Sequence, residues 1–373
     1  MKRLCCLVLA GLLCCAGLLR QTVLAAEPSA AVSALVEAET GMCIGGEQCD
    51  LPVPAGSQVK LMTVLLTARA VAAGRLTPDT EIPAPAAAQE QGGAVIWLTA
   101  GERMTAADLL RGVIIGNAND AAFALACAVS GTEAAFVREM NAAAADMGLT
   151  GTVFADATGL SAESRCTARG LCLIGRELLR YDFLAEMFRT RRAFLRGGKT
   201  ELVSENPLLR GFDGTLGLKD GHGAASGCTL TAAASRGGVT FLAAVLGASD
   251  AEQCGAACKK LLRAGFSGYH VTTPDFAAEF LRPVRVTGGL SRAVIAEPDG
   301  LRAIAAKNGC EITCTVILPA YAEAPVLRGD VLGTAAFYCG DTYLYEVPLR
   351  AADSVPVRGF WDSAGILLAN MFK

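Results

Sequence analysis

Histidine is nearly absent from this chain: His222 and His270 are the only two in 373 residues. A zinc peptidase that draws several ligands from histidine is therefore hard to build, and a Ser-His-Asp triad would have to use one of these two. Charge is scarce as well, with 18% of residues charged against 52% hydrophobic. Such a balance supplies a large core and argues against extensive disorder. The formal charge of −3 gives no electrostatic reason to expect a nucleic-acid partner. Internal repeats are absent, as are low-complexity segments beyond a general richness in alanine.

Lys2 and Arg3 precede an apolar stretch from Leu4 to Leu19 that is short for a membrane span, and Val23-Leu24-Ala25-Ala26 closes it with small residues. Residues 1–26 read as a secretory signal peptide. Neither Cys14 nor Cys15 follows the small residue that a lipoprotein signal requires, so no lipid anchor is expected there. Removing Lys2, Arg3 and Arg20 takes the formal charge from −3 to −6, and the mature protein is expected to work outside the cytoplasm. Four of the 15 cysteines leave with the signal, and 11 remain. An odd number scattered through a core-rich chain does not resemble a disulfide framework, so most are expected to be small buried hydrophobes. Cys254 and Cys258 would share a helix face, and Cys310 and Cys314 would lie on a strand; neither pair has the spacing or histidines of a zinc site. No metal and no cofactor is expected.

From Val32 to about Phe266 helical and strand patterns alternate. Val32 to Glu37 reads as a strand and Glu39-Thr40-Gly41 as a turn. Thr105-Ala106-Ala107-Asp108 resembles a capping box with aspartate in place of glutamate. Thr132 would cap a helix that Gly148 stops, and Asp250 would begin one ending at Gly265. Leu230–Ser235 and Val239–Gly247, joined by Arg236-Gly237-Gly238, read as a hairpin of buried strands. From Val271 the pattern changes to short β-type runs and turns. The expected division is 27–270 for a catalytic domain, 271–355 for a small all-β domain and 356–373 for an amphipathic tail.

Ser57-Gln58-Val59-Lys60 is the only S-x-x-K in the chain, and it opens an apolar run that reads as a helix ending near Gly74. Residues three apart share a helix face, so the Ser57 hydroxyl and the Lys60 amine can meet in a half-buried place. Burial lowers a lysine pKa, which makes the pair a nucleophile beside a base. Acyl transfer also needs a polar group near the leaving amine and donors for the developing charge. Asn117-Ala118-Asn119-Asp120, where one helix breaks at Gly116 and the next begins, can aim side chains into a cleft. Gly217-Leu218-Lys219-Asp220-Gly221-His222 should form an edge strand facing it, whereas Lys307-Asn308-Gly309 should be only a turn. His222 reads first as a structural residue beside the glycines.

In this order and spacing the chain resembles the low-molecular-mass penicillin-binding proteins, serine D-alanyl-D-alanine carboxypeptidases that carry S-x-x-K, S-x-N and K-T-G. Glu37-Ala38-Glu39-Thr40-Gly41, Pro54-Ala55-Gly56-Ser57, Met104 through Leu110, Asn119-Asp120-Ala121-Ala122 and Gly217-Leu218-Lys219 stand in family order. Ala324-Pro325-Val326, Arg328-Gly329 and Val331-Leu332-Gly333 are similar to the family's C-terminal β domain. The resemblance implies an α+β fold of the penicillin-recognising transpeptidase/β-lactamase type, an antiparallel sheet flanked by helices. It also implies Ser57 as acylated nucleophile, Lys60 as its base, Asn117 in the place of the S-x-N serine, and Asn119 as a substrate-amide contact. Lys219, with Asp220 and Gly221, falls in the segment that receives the substrate's terminal carboxylate. The implied partners are peptidoglycan stem peptides, with β-lactams as covalent inhibitors.

Departures from the pattern are specific. Asn117 replaces a serine, and an amide can donate a hydrogen bond but cannot relay a proton as a hydroxyl does. Asp220 replaces threonine, placing an anion next to the spot that should receive a carboxylate; two unit charges ~4 Å apart repel by about 4 kcal/mol at an effective dielectric near 20. Gly223 also replaces a threonine, and no arginine occurs between Ser249 and Cys258. A degenerate homologue that binds wall peptides without useful turnover is the alternative these changes raise; an acyl hydrolase acting on a substrate without a free carboxylate is another. The tail, with Phe360, Trp361, Leu367, Leu368 and Phe372, is too short to span a bilayer but suits the membrane interface, which would hold the protein at the outer face of the cytoplasmic membrane.

Overall fold

The computed structural model describes residues 32–274, 276 and 282–364; the expected signal peptide and the last nine residues of the tail lie outside them. Strand β1 (Val32–Glu37) is buried along its whole length, and β2 (Cys43–Gly45) pairs with it across the expected turn, where Glu37 accepts from the Thr40 hydroxyl at 2.6 Å. Three further strands, β3 (Thr215–Gly223), β4 (Gly227–Arg236) and β5 (Val239–Ala248), complete an antiparallel sheet in the order β2-β1-β5-β4-β3. Its central strands are apolar on both faces because both are covered. Along β5, Leu242, Ala244 and Leu246 join one core, while Phe241, Ala243 and Val245 join the other.

The larger core is helical. Helix α1 (Val59–Ala72) follows a short 3₁₀ turn at Gly56–Gln58 and, largely apolar, is buried nearly all round. Helix α2 (Ala106–Ile115) starts at Thr105, whose side chain accepts from Asp108 N at 3.1 Å. Only half of the expected capping box forms: the Asp108 carboxylate pairs instead with Arg111 at 2.6 Å. Helix α3 (Asn119–Ser130) follows the break at Gly116, and α4 (Glu133–Asp146) runs from the Thr132 cap to Gly148. Helix α5 (Ala168–Leu178) packs on the same face.

Helix α6 (Ala251–Gly268) covers the opposite face. It begins at Asp250 as expected but continues beyond Gly265. A Cβ on Gly265 would come within 2.9 Å of the Phe241 ring, so this glycine permits close helix–sheet contact rather than ending the helix. Cys254 and Cys258 both face the sheet, their thiols directed at the carbonyls of Val245 and Ala243.

Beyond α6 the chain is β-structured. Tyr269–Thr272 pairs with Ile304–Lys307, Lys307-Asn308-Gly309 turns, and Val331–Cys339 forms a long hairpin with Thr342–Ala351. One expectation about cysteine is corrected here. Cys310 lies before the strand Ile312–Ile317 rather than on it, and it forms a disulfide with Cys339. The pairing joins residues 29 apart in sequence that strand register brings together, a proximity that spacing alone does not reveal.

Candidate active site

Ser57 sits in the 3₁₀ turn at the mouth of α1, lining a cleft of about 390 Å³. The turn is fastened from below by Gln58, a fully buried residue that the sequence reading passed over. Its Nε2 donates to the Lys219 carbonyl at 3.1 Å and to Thr229 Oγ1 at 3.0 Å, while Thr231 Oγ1 donates to Gln58 Oε1 at 2.8 Å. Such a fully satisfied buried amide fixes the helix mouth against β3 and β4. Gly221 on β3 faces the serine so closely that an added Cβ would lie 2.8 Å from Ser57 Cβ.

One turn along, Lys60 is 1% exposed and its Nζ donates to the Thr158 carbonyl at 2.6 Å. Burial lowers its pKa from 10.5 to about 7, with the positive charge of Lys219 adding to the effect and Asp156 and Asp220 opposing it. At neutral pH a large share of this amine is unprotonated, the form that can take a proton from a hydroxyl.

Asn117 and Asn119 both line the cleft. Asn119 Nδ2 donates to the Gly92 carbonyl at 2.6 Å, which orients the side chain. Asn117 occupies the left-handed region at φ 58°, a conformation asparagine tolerates better than most residues, and its Oδ1 is buried without a hydrogen-bond partner. Asp120 points away to accept from Ile96 N and Leu98 N, holding the loop that carries Gly93 and Ala94 into the cleft wall.

Strand β3 is the sheet edge. Lys219 lies opposite Thr231 and Asp220 opposite Leu230, so register directs Lys219 toward α1 and Asp220 toward the α6 side. Lys219 is 1% exposed, and burial lowers its pKa against the opposing pull of Asp220 and Glu205. Asp220 Oδ1 lies 3.8 Å from Lys219 Nζ, an ion-pair distance longer than a hydrogen bond. Asp220 is partnered with Lys219 and, like Lys219 and Gly221, is not among the residues that line the cleft. His222 lines the cleft and is exposed.

A loop absent from the sequence reading forms the remaining wall. Asp156 accepts from Thr158 Oγ1, Leu160 N and Ser164 Oγ at 2.6–3.0 Å, and the same loop delivers the Thr158 carbonyl to Lys60. Gly159 approaches Gly56 so closely that a Cβ would lie 1.9 Å from the Gly56 oxygen. The Asp-Ala-Thr-Gly pattern of a tight turn was its available signal.

Fold and site together define a serine acyl enzyme of the penicillin-recognising class. A family model for D-alanyl-D-alanine carboxypeptidases matches residues 20–250, and the chain belongs to that family of serine-type carboxypeptidases. It is 29% identical over 348 residues to the D-alanyl-D-alanine carboxypeptidase DacF of Bacillus subtilis, covering 91% of this chain and 89% of that one. DacC of Escherichia coli is 28% identical, with coverage of 92% and 89%. Among solved structures, penicillin-binding protein 5 of Haemophilus influenzae shares the fold with a TM-score of 0.77 at 23% identity, over 87% of this chain and 97% of that one. Penicillin-binding protein D2 of Listeria monocytogenes in its ampicillin-bound form gives 0.58 at 28% identity, over 63% and 96%.

Proposed function

We propose that Ser57 attacks the carbonyl of the penultimate D-alanine in a peptidoglycan stem peptide. The Oγ–carbon bond forms as the peptide C–N bond breaks, and the serine proton passes through Lys60 toward the leaving amine. The terminal D-alanine departs, and water then hydrolyses the acyl-enzyme. Lys60 carries this reading: a buried amine with a pKa of about 7, one helical turn from a cleft-lining serine, is a base poised at working pH. Asn119 presents an amide to the substrate backbone, Gly221 lets the edge strand approach the nucleophile, and Lys219 adds positive potential beneath the cleft. Asn117 cannot relay a proton through a hydroxyl, which leaves Lys60 as the proton carrier. A β-lactam mimics the peptide and acylates the same serine. Incubation with a penicillin should therefore add one adduct mass, mapped to the peptide containing Ser57, alongside release of D-alanine from a pentapeptide. An adduct on any other residue would sink the assignment.

The substrate places the protein outside the cytoplasm, with residues 1–26 as the export signal and the division at about 270 separating the catalytic unit from its β companion. Among the described residues no single helix is long and apolar enough to cross a membrane. Contact with the outer face of the cytoplasmic membrane falls to the tail, residues 356–373, in which Phe360 and Trp361 are 76% and 82% exposed. Val357 bridges to Gly289, so a cut after Arg358 spares the β domain. Deleting residues 359–373 is expected to move the protein from the membrane fraction to the soluble fraction with Ser57 labelling unchanged; a truncated protein that stays with membranes would refute the anchor.

A further inference from the structure

Lys219 is buried, and its Nζ has no hydrogen-bond partner. Among the described residues the one carboxylate within ion-pair distance of it is Asp220, whose Oδ1 is likewise buried and without a hydrogen bond. The two are neighbours in sequence and leave opposite faces of β3, but β3 is the sheet edge, so no further strand separates them. The cleft above offers little else to an anion. Its polar lining comes from groups such as Ser57, Asn117, Asn119 and His222, and among the described residues no lysine or arginine lines it.

We propose that Asp220 is a specificity-determining positioning residue: it serves as the resident counter-anion of Lys219, so that the site gains little from a free carboxylate on the leaving residue and accepts amide- or ester-capped acyl donors nearly as well. A carboxylate entering above Lys219 must compete with Asp220 for a single cation and is repelled by it, a like-charge juxtaposition of the kind that interfaces use to reject a partner. Asp220 opposes the loss of charge from buried Lys219, while its own negative charge acts on the Lys60 amine against burial and Lys219, so its effects on the base oppose one another while the reward for a terminal carboxylate is reduced.

The inference rests on the acylation of Ser57 proposed above. Its test compares kcat/KM for two peptides that differ only at the last group, one ending in D-alanyl-D-alanine and the other in D-alanyl-D-alaninamide, with wild type, Asp220→Asn and Asp220→Thr. Wild type is expected to favour the acid over the amide by no more than about 3-fold. In both variants the ratio should rise by about 10-fold or more through a gain on the acid, with the amide little changed. A structural role alone would move both substrates together. A wild-type preference for the acid of about 10-fold or more, or an unchanged ratio in both variants while a penicillin still acylates Ser57, would overturn the inference. Failure of wild type to be acylated by either peptide or by penicillin would instead remove the reading of the site, and this inference with it.

Discussion

Ser57→Ala is expected to leave no covalent β-lactam adduct, and Lys60→Met to slow adduct formation by about 10²–10⁴-fold, the range that a positioned general base contributes. For the same reason wild-type acylation should rise with pH through about 7, as Lys60 loses its proton; the profile of Lys60→Met should lack that limb. Wild-type stability should rise with pH as well, over a higher range. An amine whose pKa falls from 10.5 to about 7 on folding sheds its proton on folding anywhere between those values. The cost of burial is therefore fully present below pH 7 and disappears as pH rises toward 10.5. At about 1.4 kcal/mol per unit the upper bound is roughly 5 kcal/mol, from which the orphaned Thr158 carbonyl takes back about 1–3 kcal/mol. Urea denaturation should show Lys60→Met more stable than wild type by a few kcal/mol at pH 6 and by much less at pH 9. Wild-type acylation rates in the variant, or a stability difference independent of pH, would contradict the assignment of Lys60 as a buried base.

Local signals carried much of the scaffold. Thr105, Thr132 and Asp250 are caps because a short polar side chain ahead of an apolar run has little else to do, and the β4–β5 hairpin was legible from two buried runs joined by glycines. What failed depended on distance. Gly265 reads as a helix stop from sequence, yet Phe241 on a strand decides its use, and Cys310 finds Cys339 only through the register of the β domain. In the site, Ser57 and Lys60 were legible because three residues make a helical turn. Gln58 and the Thr158 carbonyl were not, since their partners lie 98 to 173 residues away. Asp220 was seen as an anomaly of charge, but its attachment to Lys219 depends on β3 being an edge, which the order of strands along the chain does not by itself specify.

Gly159→Ala is expected to be among the most damaging single-methyl additions to the catalytic centre, although residue 159 carries no chemistry. At φ 83° an L-residue is strained by roughly 1–2 kcal/mol before any contact is counted. The new Cβ would then lie 1.9 Å from the Gly56 oxygen and 2.5 Å from its carbonyl carbon, and both are backbone atoms that no rotamer change can move. The two loops must separate. One carries Ser57 immediately after Gly56, and the other holds the Thr158 carbonyl that accepts from Lys60, so separation disturbs nucleophile and base together. A displacement near 1 Å costs about 10²-fold in rate when a reacting pair is set by close packing. Gly101→Ala provides the contrast, since Gly101 has φ 80° but open space where its Cβ would go. It should lose only the backbone strain and keep wild-type β-lactam acylation, whereas Gly159→Ala should lose more stability and acylate about 10²-fold more slowly. Equal loss in the two variants, measured by thermal unfolding and by acylation rate, would mean that the Gly56–Gly159 contact does not set the position of Ser57.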